Sequence, residues 1–441
     1  MIAIPAHVRE VLERLWEAGF EAYPVGGCVR DVLLGKTPQD WDICTAARPE
    51  QTRAVFADRR VIETGMKHGT VTVITDGRPV EITTFRVEAD YGDRRHPDSV
   101  AFVQSLREDL ARRDFTVNAM AFDADGGVID PFGGQEDLAR GVIRCVGEPE
   151  ERFREDALRI LRGLRFAARL DFRIEERTAE ALRDNRALLN DISRERFFSE
   201  LKGLLCGTGA GEVLRAFPEV IFTVIPELAA EYGFEQNSPH HIHDIWTHTT
   251  MAVDAIAPEP ALRLTMLLHD VGKPEKYFTD ENDVGHFYGH AEAGAVKADA
   301  ILRRLRCDND TREAVTLRIR YHDIEPPQTK KGVRRLVVKL GEPTVRDLIA
   351  CWKADSADRA APVRKRNLAF IGVTEGLLDE LMAQESCFSL RDLAVDGSDM
   401  LELGMEPGPA LGDTLRELFR MVTEEGVPNE KETLLRYVKK P

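Results

Sequence analysis

The sequence predicts an α+β chain: a mixed sheet with helices at the front, followed by an all-α remainder. Three observations carry this reading. Short β-branched runs such as "GTVTVIT" and "PVEITTFRV" fall within residues 1 to about 140. From "ERFREDALRILRGLRFAARLDF" onward, Leu, Ile and Phe recur at three- and four-residue intervals, the period of a helix face. At 441 residues the chain also exceeds one ordinary domain, so about two to four domains with their own cores are expected.

In chain order, residues 6 to 18 read as an amphipathic helix and "EAYPVGG" as a strand running into a glycine turn, from which "CVRDVLLG" starts a second helix. "DWDICT" is the next strand, since Ile43 and Thr45 are β-branched. "DGRP" joins the two β-rich runs as a hairpin turn, and "VNAMAFDADGGVIDPFGG" is a strand pair around an Asp-Gly-Gly turn. The helical remainder shows no long heptad run, repeat or low-complexity tract, and "QNSPHH", "APEPA" and "IEPPQTKKG" are its candidate joints.

Composition excludes several classes. With 43% hydrophobic and 31% charged residues the chain reads as soluble and globular. The start, "MIAIPAHVREVLERLWEAGF", places glutamates and arginines where a signal peptide needs an apolar core. No apolar run approaches the roughly 20 residues that span a bilayer, so a cytoplasmic protein without membrane contact is expected. The seven cysteines include no CxxC pair, which fits reduced thiols and excludes a zinc ribbon. A net charge of -16 argues against binding nucleic acid through overall charge. DNA is not expected, and an RNA partner needs a local basic surface.

Asp40 and Asp42 hold the first candidate site. In a strand, residues i and i+2 point to one face, so both carboxylates aim together while Trp41 packs behind. Two carboxylates held that close repel unless a cation sits between them, and Mg²⁺ shared with substrate phosphates is the usual answer. An isolated D-x-D is as readily a polar strand end. Its context adds Gly26 and Gly27, which let backbone approach an anion, a helix N-terminus, and Arg30 one turn into that helix for charge-assisted bonds to phosphate. The set points to nucleotidyl transfer, with Asp40 and Asp42 catalytic and metal-holding and Gly27 and Arg30 on the nucleotide.

Two further stretches belong with it. "RRDFTVNAM" groups Arg112, Arg113 and Asp114, which alone would be a surface ion-pair cluster. "EDALRILRGLR" sets Asp156, Arg159, Arg162 and Arg165 at three-residue steps on one helix, beside an apolar stripe of Leu158, Leu161 and Leu164. That stripe is either a solvated face or a base-reading template. Cytosine and adenine both offer an exocyclic amine beside an unprotonated ring nitrogen, so an Asp acceptor and an Arg donor can read both. Against uracil and guanine the same pair stays unsatisfied.

Taken together, "VGGCVRDVLLG…DWDICT", "RRDFTVNAMAFD" and "REDALRILRGLRFAARL" resemble the bacterial class II tRNA CCA-adding nucleotidyltransferases and their poly(A) polymerase relatives, nearly end to end. The resemblance implies a polymerase-β-like head over 1–142, a helical neck that reads the nucleobase and binds RNA over 143–235, an HD domain over 236–345 and a tRNA-binding tail over 346–441. It implies template-independent addition of C, C and A to the 3′ end of tRNA from CTP and ATP, with Mg²⁺ and release of pyrophosphate. A-adding, CC-adding and poly(A) polymerases are alternatives with the same chemistry. It places Arg113 on the nucleotide, Asp156 and Arg159 on the base, and Arg162 and Arg165 on nucleotide or phosphate. The stretch "YGDRRHPDSVAFV", residues 91 to 103, resembles the loop that helps such enzymes switch from C to A.

Eight of the eleven histidines fall between 240 and 322, which marks a separate chemical module. His248, His269, Asp270 and Asp323 form an H…HD…D constellation. A His-Asp pair after the apolar "LTMLL" buries imidazole and carboxylate together, which is costly unless a metal or partner satisfies them. Such ligands suit a transition metal or Mg²⁺ with open positions for phosphoester hydrolysis. The pattern, with Lys273 of "HDVGKP", resembles the HD phosphohydrolases and implies a second divalent metal; His286 and His290 read as outer contacts to the ligands or as phosphate contacts. An HD phosphohydrolase with a nucleotide-sensing head is therefore the alternative from another class. The tail "DLAVDGSDMLELGMEPGPALGDTLRELFRMV" resembles the family's tRNA-supporting region. Its acidity assigns tRNA contact to basic faces such as Lys330, Lys331, Arg334 and Arg335, for which a solvated helix face is the competing reading.

Overall fold

The front of the chain folds around a seven-stranded sheet, as described by a computed structural model covering residues 4–89, 99–238, 242–384 and 387–438. In chain order its elements are α1 (Ala6–Glu17), β1 (Ala22–Val25), α2 (Gly27–Leu33), β2 (Asp42–Thr45), α3 (Pro49–Val55), β3 (Arg60–Ile62), β4 (Thr70–Thr75) and β5 (Arg78–Thr84). The hairpin β6 (Arg86–Ala89) and β7 (Ser99–Phe102) follows, then α4 (Leu106–Ala111), β8 (Ala121–Phe122), β9 (Val128–Ile129) and α5 (Gly134–Arg140). The sheet order is β3-β4-β5-β2-β1-β8-β9, with β2 and β5 parallel and the other neighbours antiparallel. It is mixed, as the sequence pattern implies.

Local chemistry explains these elements. α1 buries Val8, Val11, Leu12 and Leu15, the i, i+3, i+4, i+7 stripe of a helix laid on a core. "DGRP" closes the β4–β5 hairpin because Asp76 and Gly77 take positive φ, 51° and 73°, which matches the twist of the two strands. Val25, Cys44, Phe85, Leu110 and Ala121 form the head core under the sheet end that carries the glycine turn. Of the stretch expected to form a loop at 91–103, residues 91–98 lie outside the described residues, and Ser99–Phe102 pairs with β6.

The same unit, Met1–Ala229, continues as helices: α6 (Pro149–Glu155), α7 (Leu158–Leu170), α8 (Glu176–Asp184), α9 (Arg194–Leu205), α10 (Ala210–Ala216) and α11 (Pro218–Phe222). The short parallel pair β10 (Val142–Ile143) and β11 (Arg173–Ile174) ties them to the head. α7 lies close against the head because Gly163 presents no side chain there: an added Cβ would stand 3.1 Å from the buried Phe115 ring.

The second unit, Ala230–Pro441, is helical apart from one small hairpin among its described residues. It comprises α12 (Ile245–Ala255), α13 (Pro260–Leu268), α14 (Lys273–Lys276), the hairpin β12 (Phe278–Thr279) and β13 (Gly285–His286), α15 (His290–Arg304), α16 (Asn309–Tyr321), α17 (Lys330–Leu340), α18 (Glu342–Asp355) and α19 (Ala361–Gln384). Val333, Leu348, Trp352, Ile371 and Leu378 of α17–α19 share one core. Met400, Leu418 and Leu434 centre a second, formed by α20 (Gly397–Glu402), α21 (Pro409–Arg420) and α22 (Lys431–Leu435). The basic face of α17 is partly engaged in this packing: Arg334 Nη1 donates to the Thr423 carbonyl (3.2 Å), and Arg335 pairs with Glu424 (3.4 Å). All seven cysteines are free thiols. No helix among the described residues is long and apolar enough to cross a membrane.

Candidate active site

The sheet register sets the carboxylates. Asp42 opens β2 and pairs with Val25 of β1 on one side and Glu81 of β5 on the other. Asp40 precedes the strand; both aspartates are exposed, while Trp41 is buried behind them. Asp42 stays open to water on the floor of a cleft while protein closes it in on its other sides. That crowding, with Glu81 and Asp40 adding repulsion, pushes its carboxyl above the usual range against the opposing pull of Arg113. Such a pair fits a cation. Glu81 reads from sequence either as a further carboxylate near the metal or as an exposed strand residue, and the parallel β2–β5 pairing sets it beside Asp42.

Gly26 turns the chain out of β1 with φ 80°, and a Cβ there would come within 2.7 Å of Arg113 Nη1. The turn therefore fixes that arginine over the glycines at no steric cost. Arg113 also pairs with the buried Asp109 (3.5 Å). Arg30 leaves α2 to donate to Asn118 Oδ1 and Asp31 Oδ1, each at 2.7 Å.

A cavity of about 620 Å³ gathers these groups with those of α6 and α7. Gly27, Arg30, Asp40, Asp42, Arg113, Asp156, Arg159, Arg162 and Arg165, all expected at the site, line it together. One expectation is corrected. Asp156 is not part of a continuous helix: it sits extended between α6 and α7 (φ -139°, ψ 104°), and its Oδ1 accepts from the Leu158 backbone N–H (3.0 Å), capping the new helix. Its other oxygen faces Arg196 (3.4 Å).

The arginines are pre-positioned by partners that sequence spacing does not reveal. Arg159 donates to Glu155 Oε2 (2.6 Å) and to the Arg112 carbonyl (3.1 Å). Arg165 donates to Glu200 Oε2 (2.6 Å). Arg162 donates through Nε to Asp114 Oδ2 (2.7 Å). Burial would raise the Asp114 carboxyl, but Arg162 and Arg159 hold it below the usual range. The Phe166 ring packs under three guanidinium groups, those of Arg30, Arg162 and Arg165, at 5.5, 5.5 and 4.4 Å from its centre.

The chain is similar to known proteins along nearly its whole length. A family model described as "Poly A polymerase head domain" matches residues 22–144, "Probable RNA and SrmB- binding site of polymerase A" matches 171–230, and a tRNA nucleotidyltransferase domain 2 model matches 287–438. The CCA-adding enzyme of Enterococcus faecalis is 35% identical over 448 aligned positions, covering 100% of this chain and 98% of its own. That of Lactobacillus helveticus is 34% identical over 435, covering 97% and 95%. The chain belongs to the CCA-adding enzyme family. Among solved structures, the Bacillus stearothermophilus CCA-adding enzyme in complex with CTP matches with a TM-score of 0.72 at 31% identity, covering 98% of this chain and 96% of that one. The Thermotoga maritima CCA-adding enzyme complexed with tRNA_CCA shares the fold, with a TM-score of 0.58 at 20% identity and coverage of 98% and 95%.

Within this family member, the second unit holds another dense cluster. His248 of α12, His269 and Asp270 after α13, His290 opening α15, His322 after α16 and Asp355 closing α18 converge. His248 Nε2 is 3.0 Å from Asp355 Oδ1, 3.3 Å from His269 Nε2 and 3.4 Å from Asp270 Oδ2. On the other side of the same carboxylate, Asp270 Oδ1 is 3.5 Å from His290 Nε2 and 3.6 Å from His322 Nε2. Asp270 is thus common to two groups, each of metal-ligand type.

Three of these imidazoles are oriented by main chain. His269 Nδ1 lies 2.8 Å from the Met266 carbonyl, His290 Nδ1 2.9 Å from that of Phe287 and His322 Nδ1 2.6 Å from that of Ile319. A carbonyl can only accept, so each Nδ1 donates and each Nε2 of the neutral ring turns its lone pair into the cluster. Lys273 stands 2.7 Å from Asp270 Oδ2 and donates to Gln236 Oε1 at 2.9 Å. Neither oxygen of the buried Asp270 receives a well-directed hydrogen bond. Burial would raise its carboxyl, yet His269 and Lys273 hold it well below the usual range.

The cluster differs from the expected set in one ligand. Asp323 is 60% exposed, and its side chain stands 3.6 Å from His290 Nδ1. It leaves the end of α16 toward water, whereas Asp355 is carried inward by α18, which packs against α12. His290, expected as an outer contact, is inside the cluster; His286 lies outside it, paired with Asp280 (2.9 Å).

Proposed function

We propose that this chain adds C, C and A to the 3′ end of tRNA from CTP and ATP, releasing pyrophosphate. One observation carries the reading: a single cavity holds a carboxylate pair, a glycine turn, arginines and the Asp156–Arg159 set. The Gly26–Gly27 turn, the start of α2, Arg30 and Arg113 receive the triphosphate. Asp40 and Asp42, with Glu81 beside them, hold Mg²⁺, a fit supported by the raised Asp42 carboxyl. When bound, that ion offsets triphosphate charge and acidifies the attacking ribose hydroxyl.

Asp156 accepts from the exocyclic amine of cytosine or adenine, and Arg159 donates to the neighbouring ring nitrogen. UTP and GTP leave both groups unsatisfied, a discrimination of about 10⁴ or more in favourable cases. The test is incubation with tRNA lacking CCA, one nucleotide at a time. CTP alone should extend the tRNA by C and C, and ATP should complete it only afterwards. Failure to add C would assign the chain to A-adding or poly(A) activity instead, and a stop after CC would make it a CC-adding enzyme. Free thiols throughout support a cytoplasmic setting.

A second reading is favoured by the three Nδ1-to-carbonyl contacts. His248, His269, Asp270 and Asp355, with His290 and His322 across Asp270, bind divalent metal for phosphoester hydrolysis. Inward lone pairs on several neutral imidazoles repel one another unless a cation sits among them.

A further inference from the structure

We propose that Asn118 is a positioning residue for the triphosphate end of the nucleotide site, aiming the Arg30 guanidinium without touching substrate itself. This rests on the nucleotide reading of the large cavity and adds to it the residue that sets Arg30.

Asn118 is held by its backbone. It closes a single tight turn, Thr116–Asn118, just ahead of β8. The Thr116 N–H donates to the Arg144 carbonyl (2.9 Å), its hydroxyl donates to Asp137 Oδ2 (2.7 Å), and the Asn118 N–H donates to the Phe115 carbonyl (2.9 Å). Two residues on, the Met120 carbonyl accepts from the Gly26 N–H (3.1 Å). One short segment therefore anchors both the glycine turn and Asn118. The Asn118 side chain is buried with it, at 6% exposure.

Its amide has one possible orientation. Asn118 Oδ1 is 2.7 Å from Arg30 Nη1, and Nδ2 is 3.4 Å from Asp114 Oδ1. A guanidinium can only donate and an ionised carboxylate can only accept. Against burial, Arg162 and Arg159 hold the Asp114 carboxyl below the usual range, which keeps it an acceptor. The amide oxygen must then face Arg30 and the amide nitrogen Asp114. Neither isostere does both jobs: aspartate would set a like charge against Asp114, and leucine would offer Arg30 nothing.

Arg30 needs such a partner. Its Nε and Nη2 donate to Asp31 Oδ1 (2.9 and 2.7 Å), and the Phe166 ring lies 5.5 Å below. Asp31 is the next residue along α2 and its side chain is 26% exposed, so it moves with Arg30 and fixes little. Asn118 is the partner whose place is set by a buried turn on another element. With three of the five guanidinium N–H donors taken this way, the others are left for a phosphate in the cavity that Gly26, Gly27 and Arg30 line together. A neutral acceptor also holds Arg30 without adding negative charge where a triphosphate binds.

The test is a double-mutant cycle in the full chain, with Asn118→Leu, Arg30→Ala and the pair. Equilibrium titration of Asn118→Leu should show CTP binding weakened about tenfold, the order of one hydrogen bond to a charged group, with CMP, which lacks the outer phosphates, within about twofold of wild type. Incorporation into tRNA lacking CCA should keep its rate at saturating CTP within about threefold, because an interaction made equally in ground and transition states moves KM and not kcat. In the Arg30→Ala background, adding Asn118→Leu should cost less than about twofold, since both changes remove the same interaction. Losses that multiply, CTP and CMP weakened alike, or full CTP affinity in Asn118→Leu beside a weakened Arg30→Ala would each overturn the positioning role alone. Unweakened CTP binding in Arg30→Ala would overturn the nucleotide reading of Arg30, and this proposal with it. If the leucine variant does not fold, Asn118→Ala is put through the same cycle.

Discussion

The two charged clusters of this chain are built in opposite ways. In the first unit the carboxylates Asp40 and Asp42 stand in water, and the arginines of a wide cavity are held in place by Asp and Glu partners. In the second, imidazoles and carboxylates are buried together, and backbone carbonyls fix which ring nitrogen faces inward. On the roles proposed above, the difference separates two ways of using a cation. A site that shares Mg²⁺ with substrate phosphates can leave its ligands hydrated between turnovers. A site that keeps its ions needs a dry, pre-oriented shell.

The largest effect should come from separating the two. Asp42→Asn is expected to lower nucleotide incorporation on the order of 10³-fold, several kcal/mol of lost charge stabilisation, while leaving bound transition metal in place. Asp270→Asn should do the converse, removing bound metal and keeping incorporation within about twofold, since sites that share no partner act independently. Metal analysis of the purified proteins and single-turnover incorporation read both. If Asp270→Asn stopped incorporation as well, the contrast between a substrate-borne and a resident cation would fail.

A smaller effect concerns how firmly the first site holds its base reader. Arg196 faces the carboxylate of Asp156, the residue proposed above to accept from the base amine. Arg196→Ala should leave Asp156 freer to turn and reduce CTP-over-UTP selectivity by about tenfold, the order of one charge-assisted hydrogen bond. Competition kinetics on tRNA lacking CCA would show it, and unaltered selectivity would mean that Leu158 alone orients Asp156.

How much of this was legible in the sequence follows from how local each cause is. The DGRP hairpin, the glycine turn and the α1 stripe depend on residues within a few positions of one another, and the structure has them where the pattern puts them. The motif residues that line the large cavity were also legible as a group, because the motifs themselves are local. What escaped was set by packing across long separations. Asp156 looks helical by spacing, but its side chain caps α7 and breaks the helix. Glu81 stood open between a metal-side carboxylate and an exposed strand residue, because its place beside Asp42 is set by the β2–β5 pairing. Asp355 rather than Asp323 reaches the buried cluster because α18 packs on α12, which no local spacing encodes. Phe166 lay inside a quoted motif, yet its place under three guanidinium groups needs the folded head.

The smallest expected effect tests whether an ion pair inside the first site behaves as a conventional one, independent of metal. Asp114 is buried and its carboxyl is held below the usual range mainly by Arg162, against burial. A depressed carboxyl stabilises the fold above its unfolded pKa of about 3.9, and that contribution is lost as pH falls through the lower folded value. Because the Arg162 side chain is 36% exposed, the contribution is about 1 kcal/mol rather than the several of a dry pair. Asp114→Asn should therefore melt roughly 2–4 °C lower at pH 7, with the gap steady down to about pH 5 and closing below about pH 4. Thermal denaturation of both proteins across that range, with and without chelator, measures it. A gap that widened toward low pH, or that vanished on removing metal, would mean that Asp114 serves the cation and not Arg162.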